Sequence, residues 1–509
     1  MTSFIRRYAL HAIIGLLAAL SIFSPGAVTS AMQAAAGWFL LHFDWLTLGV
    51  SSLAVIACLA AALGPWGSMR LGTAGSKPEF STLSWMSMLF AAGMGAGLVF
   101  WGAAEPLIFT VSPPPGTAPP ETEAAIRQAY ALTMFHWAFQ AWAIYTVAAL
   151  AVAYMAFRLG KPPLPSVVFG FLPRWAKVLI DMIALMAVIF GVIASIGQGG
   201  LQMGAGVEII SGVEGIDGPV LQSVLILILG GVFLLSAWGG LKRGIEPLSG
   251  FNMILVVVLA IFVFAVGPTR ELIGTMGDMA AAYLGDIVPL SFTLRPEGVA
   301  REWTRDWSLT YFLWWIAWTP FVSVFIARVS RGRTIRQFVL GAMLVPCIVT
   351  LLWFAIMGGT AISLQLEQGV DLGVSDFSTA AMATYMMLEQ LPLTLITQIV
   401  AFTLVFIFLV TSADSGAYVM AMFSARTDLS PPRWERIFWG VVLIALTIGA
   451  LLSAQGQMAT RAFAVVGSIP LCFLMAAQTI AAGTTIWRDW RARHDVTEQS
   501  DEGSSAPSA

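Results

Sequence analysis

The stretch FHWAFQAWAIY, residues 135–145, contains a cluster of large aromatic side chains. A helix turns by about 100° per residue, which places Trp137, Tyr145 and Trp142 at about 0°, 80° and 140° around its axis. The three rings therefore share one broad face. Such a face could form one wall of a cage for a ligand.

A second cluster lies in YFLWWIAWTPF, residues 311–321, with Trp314, Trp315, Trp318 and Phe321. The pairs Trp314/Trp318 and Trp315/Trp318 have the spacing of side chains on the same face of a helix. An aromatic face attracts a cation by about 0.5–2 kcal/mol, and by more where water is excluded. Three or four rings would therefore hold a quaternary ammonium group, which has no N–H to donate.

Both clusters also have a simpler interpretation, because Trp and Tyr concentrate at the two membrane interfaces. Against it, the clusters lie well inside apolar stretches and are accompanied by small or polar residues. Neither cluster has an acidic residue beside it in the sequence, so we expect the rings to bind a cation without a buried acid. For Glu105, next to Pro106, a wet environment or a helix cap is as plausible as a gate.

Two segments predict interrupted helices. GMGAG, residues 93–97, places three glycines inside an apolar run, where each glycine lowers helix stability by about 1 kcal/mol. TSADSG, residues 411–416, follows the apolar run FTLVFIFLV, and Pro320 adds a further irregularity. Irregular backbone inside a membrane must line a cavity or pack within protein. For GMGAG the alternative is close helix packing, because Gly93 and Gly97 have the GxxxG spacing.

The composition indicates an all-α polytopic membrane protein. Of the 509 residues, 58% are hydrophobic and 11% are charged. Apolar stretches long enough to cross about 30 Å of hydrocarbon recur along the whole chain. They predict twelve spans, centred near residues 8–28, 44–65, 84–110, 130–157, 177–205, 219–238, 250–268, 306–329, 337–364, 391–420, 435–453 and 462–486.

The positions of the basic residues indicate the orientation. All but six of the 26 Lys and Arg residues fall on one side of the predicted spans, which the positive-inside rule assigns to the cytoplasm. The six others are Arg127, Arg270, Arg295, Arg301, Arg305 and Arg461. An even number of spans with both termini in the cytoplasm fits this asymmetry. The N-terminal run resembles a signal peptide, but eleven further spans follow it.

Several classes of function are disfavoured. A net charge of −2 gives no indication of nucleic-acid binding, since topology explains the basic residues. The three cysteines lie on different predicted helices, and the chain has only four histidines, so neither a disulfide framework nor a transition-metal site is indicated. No nucleophile–base pair suggests catalysis. We therefore expect a protein that is not an enzyme and whose partners are membrane lipid and a small molecule.

The chain divides into five predicted regions. Residues 1–70 would form two N-terminal spans, 84–268 and 306–486 two five-helix halves, 269–305 an extracellular amphipathic connecting helix, and 487–509 a short disordered cytoplasmic tail. Helices broken at mid-membrane depth in two related halves are typical of secondary transporters. The similarity between the halves is too weak to establish a repeat from the sequence.

Four motifs together resemble the betaine/choline/carnitine transporter family: GMGAGLVFWGAAEP, HWAFQAWAIY, WWIAWTPFVSVFIARVSRGRTIRQF and TSADS, in the order of the family. The resemblance covers nearly the whole chain and implies a LeuT-like inverted repeat in helices 3–12, with two extra N-terminal helices. It also implies a homotrimer in the cell inner membrane.

The resemblance implies the site residues. Trp137, Trp142, Tyr145 and Trp315 would form an aromatic box, with Trp318 on the substrate path and Trp314 beside it. The backbone of Met94, Gly95, Ala96 and Gly97 would receive a substrate carboxylate. A coupling sodium ion (Na⁺) would bind the carbonyls of Ala91, Met94 and Phe408 and the hydroxyls of Thr411 and Ser412. These hydroxyls could instead make ordinary interhelical hydrogen bonds.

A second sodium site is less well supported by the sequence, because Phe321 matches the family while the fifth helix offers Ser195 and Gln198 near the expected place. Sodium-independent exchangers of the family carry a basic side chain in that helix, which is absent between Lys177 and Lys242. We therefore expect sodium-coupled uptake of a zwitterion, glycine betaine for preference. Dimethylsulfoniopropionate, carnitine and sodium-independent exchange are the alternatives.

Overall fold

A computed structural model describes residues 2–73, 75–93, 95–239, 241–425, 431–453 and 455–504. They form α1 (Thr2–Phe23), α2 (Pro25–Leu63), α3 (Thr82–Gly93), α4 (Ala96–Val111), α5 (Glu123–Trp137), α6 (Phe139–Ala153), α7 (Arg174–Ser211), α8 (Pro219–Gly239), α9 (Leu241–Val266), α10 (Thr269–Phe292), α11 (Val299–Thr304), α12 (Thr310–Val329), α13 (Ile335–Leu366), α14 (Ala383–Glu389), α15 (Thr394–Ala425), α16 (Arg433–Leu451) and α17 (Gly456–Ser504). π-helical turns at Tyr154–Arg158 and Arg305–Leu309 continue α6 and precede α12.

The helices have the length and composition of membrane spans. Within the described residues, ten helical segments are long and apolar enough to cross a membrane, and Leu10–Phe23 and Ala96–Val111 are shorter apolar helices. Many large apolar side chains on the outside of the bundle are exposed, for example on α8 and α9. Outward-facing apolar surface of this extent requires a hydrocarbon environment, so the prediction of an all-helical polytopic membrane protein is confirmed.

Helix α2 begins earlier than the predicted span 44–65. It starts at Pro25, which is favourable at the first position of a helix, and bends at Phe43, where φ is −129° and ψ is 20°. Beside the bend, the buried carboxylate of Asp44 accepts hydrogen bonds from Arg301 and Arg305 at 2.8 Å each. This ion-pair network joins α2 to the chain that precedes α12.

The glycine segment interrupts its helix as predicted. Helix α3 ends at Gly93 and α4 begins at Ala96, with Gly95 in an extended conformation between them. Met94 lies outside the described residues. The interruption leaves the C-terminal end of one helix and the N-terminal end of another at the same depth in the bundle.

The predicted interruption at TSADSG is wrong, because α15 runs without a break from Thr394 to Ala425. Its polar side chains are satisfied without unwinding. Thr411 donates to the carbonyls of Ile407 and Phe408 in the preceding turn, both at 3.0 Å, while buried Asp414 accepts from Arg436 at 2.9 Å. A single charged residue that is neutralised by a neighbouring helix does not need free backbone around it.

A second interruption lies where the sequence gives no sign of one. The predicted span 130–157 is divided at Ala138, whose φ of −103° and ψ of −121° end α5 and begin α6. The N–H of Phe139 donates a hydrogen bond to the hydroxyl of Tyr283 at 3.1 Å. Tyr283 belongs to α10, which packs against α5 and α13. The predicted connecting helix therefore braces this break.

The C-terminal helix is longer than predicted. The tail expected to be disordered from residue 487 continues as part of α17 to Ser504. The sequence WRDWRARHDVTEQSDE contains neither Gly nor Pro, and both residues would interrupt a helix strongly. Within this extension, Asp489 accepts a hydrogen bond from Arg158 at 2.7 Å and thereby joins α17 to the end of α6.

Candidate functional site

One cavity of about 320 Å³ lies at the centre of the bundle between α4, α6, α7, α12 and α15. This volume is typical of small-molecule sites. The predicted substrate residues that the structure describes all line it, namely Gly95, Ala96, Gly97, Trp137, Trp142, Tyr145, Trp314, Trp315 and Trp318. Phe321, Ser195, Phe408, Thr411 and Ser412 also line it. Residues from five distant parts of the sequence thus meet in one space.

The aromatic rings in this cavity meet nearly at right angles. Trp137 and Trp315 have centroids 4.9 Å apart at 76°, Trp142 and Tyr145 5.6 Å apart at 69°, and Tyr145 and Trp315 6.0 Å apart at 80°. Edge-to-face pairs of this kind are favourable in themselves. The four residues also line one cavity, and the faces of aromatic rings attract a quaternary ammonium group.

The orientation of these rings is fixed by hydrogen bonds to their indole N–H groups. Trp315 donates to the carbonyl of His136 at 2.8 Å. Trp318 donates to the carbonyl of Gly191 and to the hydroxyl of Ser195, both at 3.1 Å, and Trp314 donates to the same hydroxyl at 3.3 Å. Buried indole N–H groups need hydrogen-bond acceptors, and each of these bonds favours one orientation of its ring.

A buried acid lies directly behind the aromatic box, contrary to the sequence-based expectation of a cage without one. Glu105 is fully buried and accepts hydrogen bonds from the indole of Trp137 at 2.7 Å and the hydroxyl of Tyr311 at 2.6 Å. His136 contacts its other carboxylate oxygen at 2.6 Å. The acid is distant in sequence from both clusters, and the fold brings α4 against α5 and next to α12. A wet environment or a helix cap for Glu105 is therefore excluded.

The break between α3 and α4 exposes backbone to the cavity. Ala96 and Gly97 are the first residues of α4, where N–H groups have no intrahelical partner and the helix dipole is positive. Ala91 lies in the last turn of α3, whose carbonyls are similarly free and whose dipole end is negative. The N-terminal end of α4 is thus suited to an anionic group, and the C-terminal end of α3 is suited to a cation.

Gly97 also leaves space for the packing of the box. A Cβ at this position would lie 3.2 Å from Cη2 of Trp137, closer than ordinary van der Waals contact. A Cβ at Gly95 would meet no heavy atom within 4 Å in the described part of the chain. The two glycines therefore differ: Gly97 makes room for a ring, whereas Gly95 lies in extended backbone with open space beside it among the described residues.

The hydroxyl groups of α15 form the polar side of the cavity. Thr411, Ser412 and Ser415 line it beside Phe408. Hydroxyl oxygens are hard ligands, which suit an alkali cation. Phe408 contributes its ring to the lining, and its carbonyl already accepts from the Thr411 hydroxyl at 3.0 Å.

The structure adds residues that the sequence analysis missed. Tyr311 and Trp101 line the cavity. Tyr311 is four residues before Trp315, so the helical spacing used for the tryptophans could have included it. Glu105 is recognisable in the sequence as an acid within an apolar run, but its contacts with Trp137 and Tyr311 arise only in the folded bundle.

The cavity is long. It follows α12 from Tyr311 to Phe325, about 21 Å at 1.5 Å per residue. Beyond Tyr311, Trp101 packs against Trp307 and Phe377 with ring centroids 5.8 Å and 5.3 Å apart. This aromatic cluster lies at the end of the cavity where α12 begins.

At the opposite end, α12 is held by charged groups outside the spans. Arg328 donates two hydrogen bonds, of 2.7 Å and 2.8 Å, to the carboxylate of Glu79 and lowers the pKa of that group. Arg333 is buried, donates to the carbonyl of Phe80 at 2.8 Å and lies over the ring of Trp85 at 4.6 Å. The basic motif after α12 therefore anchors the start of α3, the first half of the broken helix.

Comparison with known proteins identifies the family. The sequence profile described as "BCCT, betaine/carnitine/choline family transporter" matches residues 8–491. "Glycine betaine transporter OpuD" of Bacillus subtilis is 40% identical over 462 residues, which are 89% of this chain and 88% of that protein.

Two further relatives are similar over comparable lengths. "Glycine betaine transporter 1" of Vibrio parahaemolyticus is 35% identical over 450 residues, 86% of this chain and 85% of that protein. "Betaine/ectoine transporter LcoP" of Corynebacterium glutamicum is 35% identical over 468 residues, 90% of this chain and 74% of that protein. The motif-based resemblance is confirmed, and the chain belongs to the betaine/carnitine/choline transporter family, whose members are transporters and not enzymes.

Proposed function

We propose that this protein takes up glycine betaine together with sodium by alternating access. The observation that carries the proposal is the position of the aromatic box opposite a free helix N-terminus in one cavity. The box offers ring faces to a trimethylammonium group, and the first N–H groups of α4 offer donors to a carboxylate. A molecule with both groups, close together and without N–H donors, matches this pair of sites.

Glycine betaine is favoured within this class by two observations. The relatives include glycine betaine transporters from two organisms and a betaine/ectoine transporter. In addition, Gly97 leaves the α4 N-terminus without a side chain. Choline lacks a carboxylate and would benefit from an acid at that place, so a zwitterion fits better.

We propose that sodium binds between the C-terminal end of α3 and the hydroxyls of α15. The proposed ligands are the carbonyls of Ala91, Met94 and Phe408 and the hydroxyls of Thr411 and Ser412. The negative end of the α3 dipole supports a cation at this place. An ion that enters down a potential of 100 mV contributes about 2.3 kcal/mol to uptake.

The proposal includes one sodium site. A second site at Phe321 and Ser195 would use a hydroxyl that already accepts hydrogen bonds from the indoles of Trp314 and Trp318. Binding sodium there would release both rings. We therefore propose a single sodium site.

The architecture proposed with this function has twelve spans, with an inverted five-helix repeat in residues 84–268 and 306–486 after two N-terminal helices. The ten long helical segments and two shorter apolar ones support twelve crossings. The distribution of Lys and Arg supports cytoplasmic termini in the cell inner membrane. By family resemblance we propose a homotrimer.

Tryptophan fluorescence of the purified protein tests the substrate and the ion together. Titration with glycine betaine, dimethylsulfoniopropionate, carnitine and choline, each with sodium or potassium chloride, should give the tightest binding for glycine betaine in sodium. Uptake into proteoliposomes should require an inward sodium gradient. Tighter binding of another compound would reassign the substrate, and counterflow that is equal in potassium would indicate sodium-independent exchange.

A further inference from the structure

Glu105 occupies a central place in the packing of the site but does not enter the function proposed above. It lies on α4, three helical turns from the break, with no exposed surface. Its side-chain partners come from α5 and α12, the two helices that carry Trp137 and Trp315. Two of these partners, Trp137 and Tyr311, line the cavity, so the carboxylate lies immediately behind its wall.

The hydrogen-bond donors around Glu105 can be assigned one by one. The indole of Trp137 and the hydroxyl of Tyr311 both donate to Oε2. Nδ1 of His136 lies 2.6 Å from Oε1, and Nε2 of the same ring lies 2.8 Å from the hydroxyl of Ser308. A neutral imidazole with its proton on Nδ1 satisfies every group: it donates to the carboxylate and accepts from Ser308. In this tautomer, with Glu105 ionised, the cluster carries one negative charge.

We propose that this charge makes the aromatic box selective for a cation, with Glu105 acting as a positioning residue through Trp137 and Tyr311. The inference rests on the proposed function, since it concerns the trimethylammonium end of the same substrate. A carboxylate that accepts an indole N–H or a phenol O–H pushes electron density toward the ring. The ring faces that line the cavity become more negative, and their attraction for a cation increases.

The charge also acts directly on the bound cation. Protein around the cluster excludes water, so the field of the carboxylate is screened much less than in solution. A neutral group with the shape of trimethylammonium would gain neither effect. Glu105 is therefore expected to change the preference between a charged and an uncharged head group, whereas a purely structural role would change the binding of both alike.

The test compares glycine betaine with 3,3-dimethylbutyrate, in which a tert-butyl group replaces the trimethylammonium group and the carboxylate is retained. Glu105→Gln removes the charge with little change in shape. The amide oxygen can accept from Trp137 and Tyr311, and the amide NH₂ can donate to Nδ1 of His136 once its proton is on Nε2. Glu435→Gln is the matched control, because Glu435 is also fully buried but lies on α16.

Dissociation constants are measured by calorimetry in sodium chloride. In Glu105→Gln we expect weaker binding of glycine betaine by about tenfold, binding of 3,3-dimethylbutyrate within twofold of the wild type, and no change of preference in the control. Equal weakening of both compounds, or no weakening of either, would overturn the inference. If the wild-type protein does not bind glycine betaine, the proposed function fails instead, and the two failures are thus distinguishable.

A second variant keeps the test decisive if Glu105→Gln does not fold. Tyr311→Phe retains the ring and removes one of the two donors to Oε2. The preference for glycine betaine over 3,3-dimethylbutyrate should fall about two- to threefold, because one ring is no longer polarised. An unchanged preference would contradict transmission through Tyr311.

Discussion

The indole nitrogen of Trp315 lies 2.8 Å from the backbone carbonyl oxygen of His136. His136 comes two residues before the interruption at Ala138, where regular helical hydrogen bonding between α5 and α6 is lost. The carbonyl is therefore free to accept from another helix. The break at Ala138 thus frees the carbonyl that orients Trp315, the ring that α12 contributes to the aromatic box.

Replacement of Trp315 should weaken substrate binding in two steps. In Trp315→Phe a ring remains but the bond to His136 is lost, so we expect an increase of about threefold to tenfold in the dissociation constant of glycine betaine. Trp315→Leu removes the aromatic face as well, and the increase should exceed about tenfold. Calorimetry in the presence of sodium measures both.

The control for this series is Trp175→Leu, since Trp175 is exposed at the beginning of α7. Its affinity for glycine betaine should equal that of the wild type. Equal affinities for Trp315→Leu and Trp175→Leu would remove Trp315 from the binding site.

The two glycines at the start of α4 should respond differently to alanine. In Gly97→Ala the new Cβ would be 3.2 Å from the ring of Trp137, so the ring must shift by a few tenths of an ångström. We expect a several-fold loss of affinity for glycine betaine. Gly95→Ala should bind nearly normally, because its φ of −152° is accessible to alanine and its Cβ meets no described heavy atom within 4 Å. Equal loss in both variants would show that backbone flexibility matters more than space beside Trp137.

The hydroxyls of α15 should determine the response to sodium. Thr411→Ala and Ser412→Ala remove two of the proposed oxygen ligands, so the sodium concentration for half-maximal uptake should rise at least several-fold. Thr403→Ala is the matched control, because Thr403 lies on the same helix, is half-buried away from the cavity lining and bonds the carbonyl of Ile399. Uptake of labelled glycine betaine at varied sodium concentration measures the effect. An unchanged sodium dependence in both site variants would place the ion elsewhere.

The two polar or glycine-rich segments show what could be predicted from the sequence. The interruption at GMGAG was predictable because glycine weakens a helix wherever it lies. The polar segment TSADSG gave the wrong prediction because its outcome depends on partners elsewhere in the fold. Asp414 is paired with Arg436 of α16, and Thr411 bonds within its own helix, so α15 stays regular. The local sequence pattern does not show which residues of other helices will pair with the segment.

The same reasoning explains the two features that the sequence did not indicate. No glycine or proline marks the break at Ala138, which is stabilised by side chains of α10 and α12. Glu105 is separated from Tyr311 by 206 positions in the sequence and meets it only in the folded bundle. The aromatic box was predictable from spacing and family resemblance, whereas the groups that hold its rings in place are tertiary.

Removal of the Tyr283 hydroxyl should destabilise the break at Ala138. This hydroxyl accepts from the N–H of Phe139 at 3.1 Å and donates to Oε1 of Gln140 at 2.7 Å. In Tyr283→Phe both groups become buried without this partner, which costs about 1–3 kcal/mol of unfolding free energy. The temperature of unfolding in detergent should therefore fall, and the affinity for glycine betaine should fall several-fold because Trp315 bonds to the same interrupted segment.

Tyr385→Phe is the matched control for this prediction. Tyr385 is also fully buried, but its hydroxyl has no hydrogen-bond partner among the described residues. Removing a buried hydroxyl without a partner costs nothing in lost hydrogen bonds, so the unfolding temperature should stay the same or rise. If Tyr283→Phe and Tyr385→Phe unfolded at the same temperature as the wild type, the interruption at Ala138 would have to be maintained by the packing of α10 and by Trp315 rather than by the tyrosine hydroxyl.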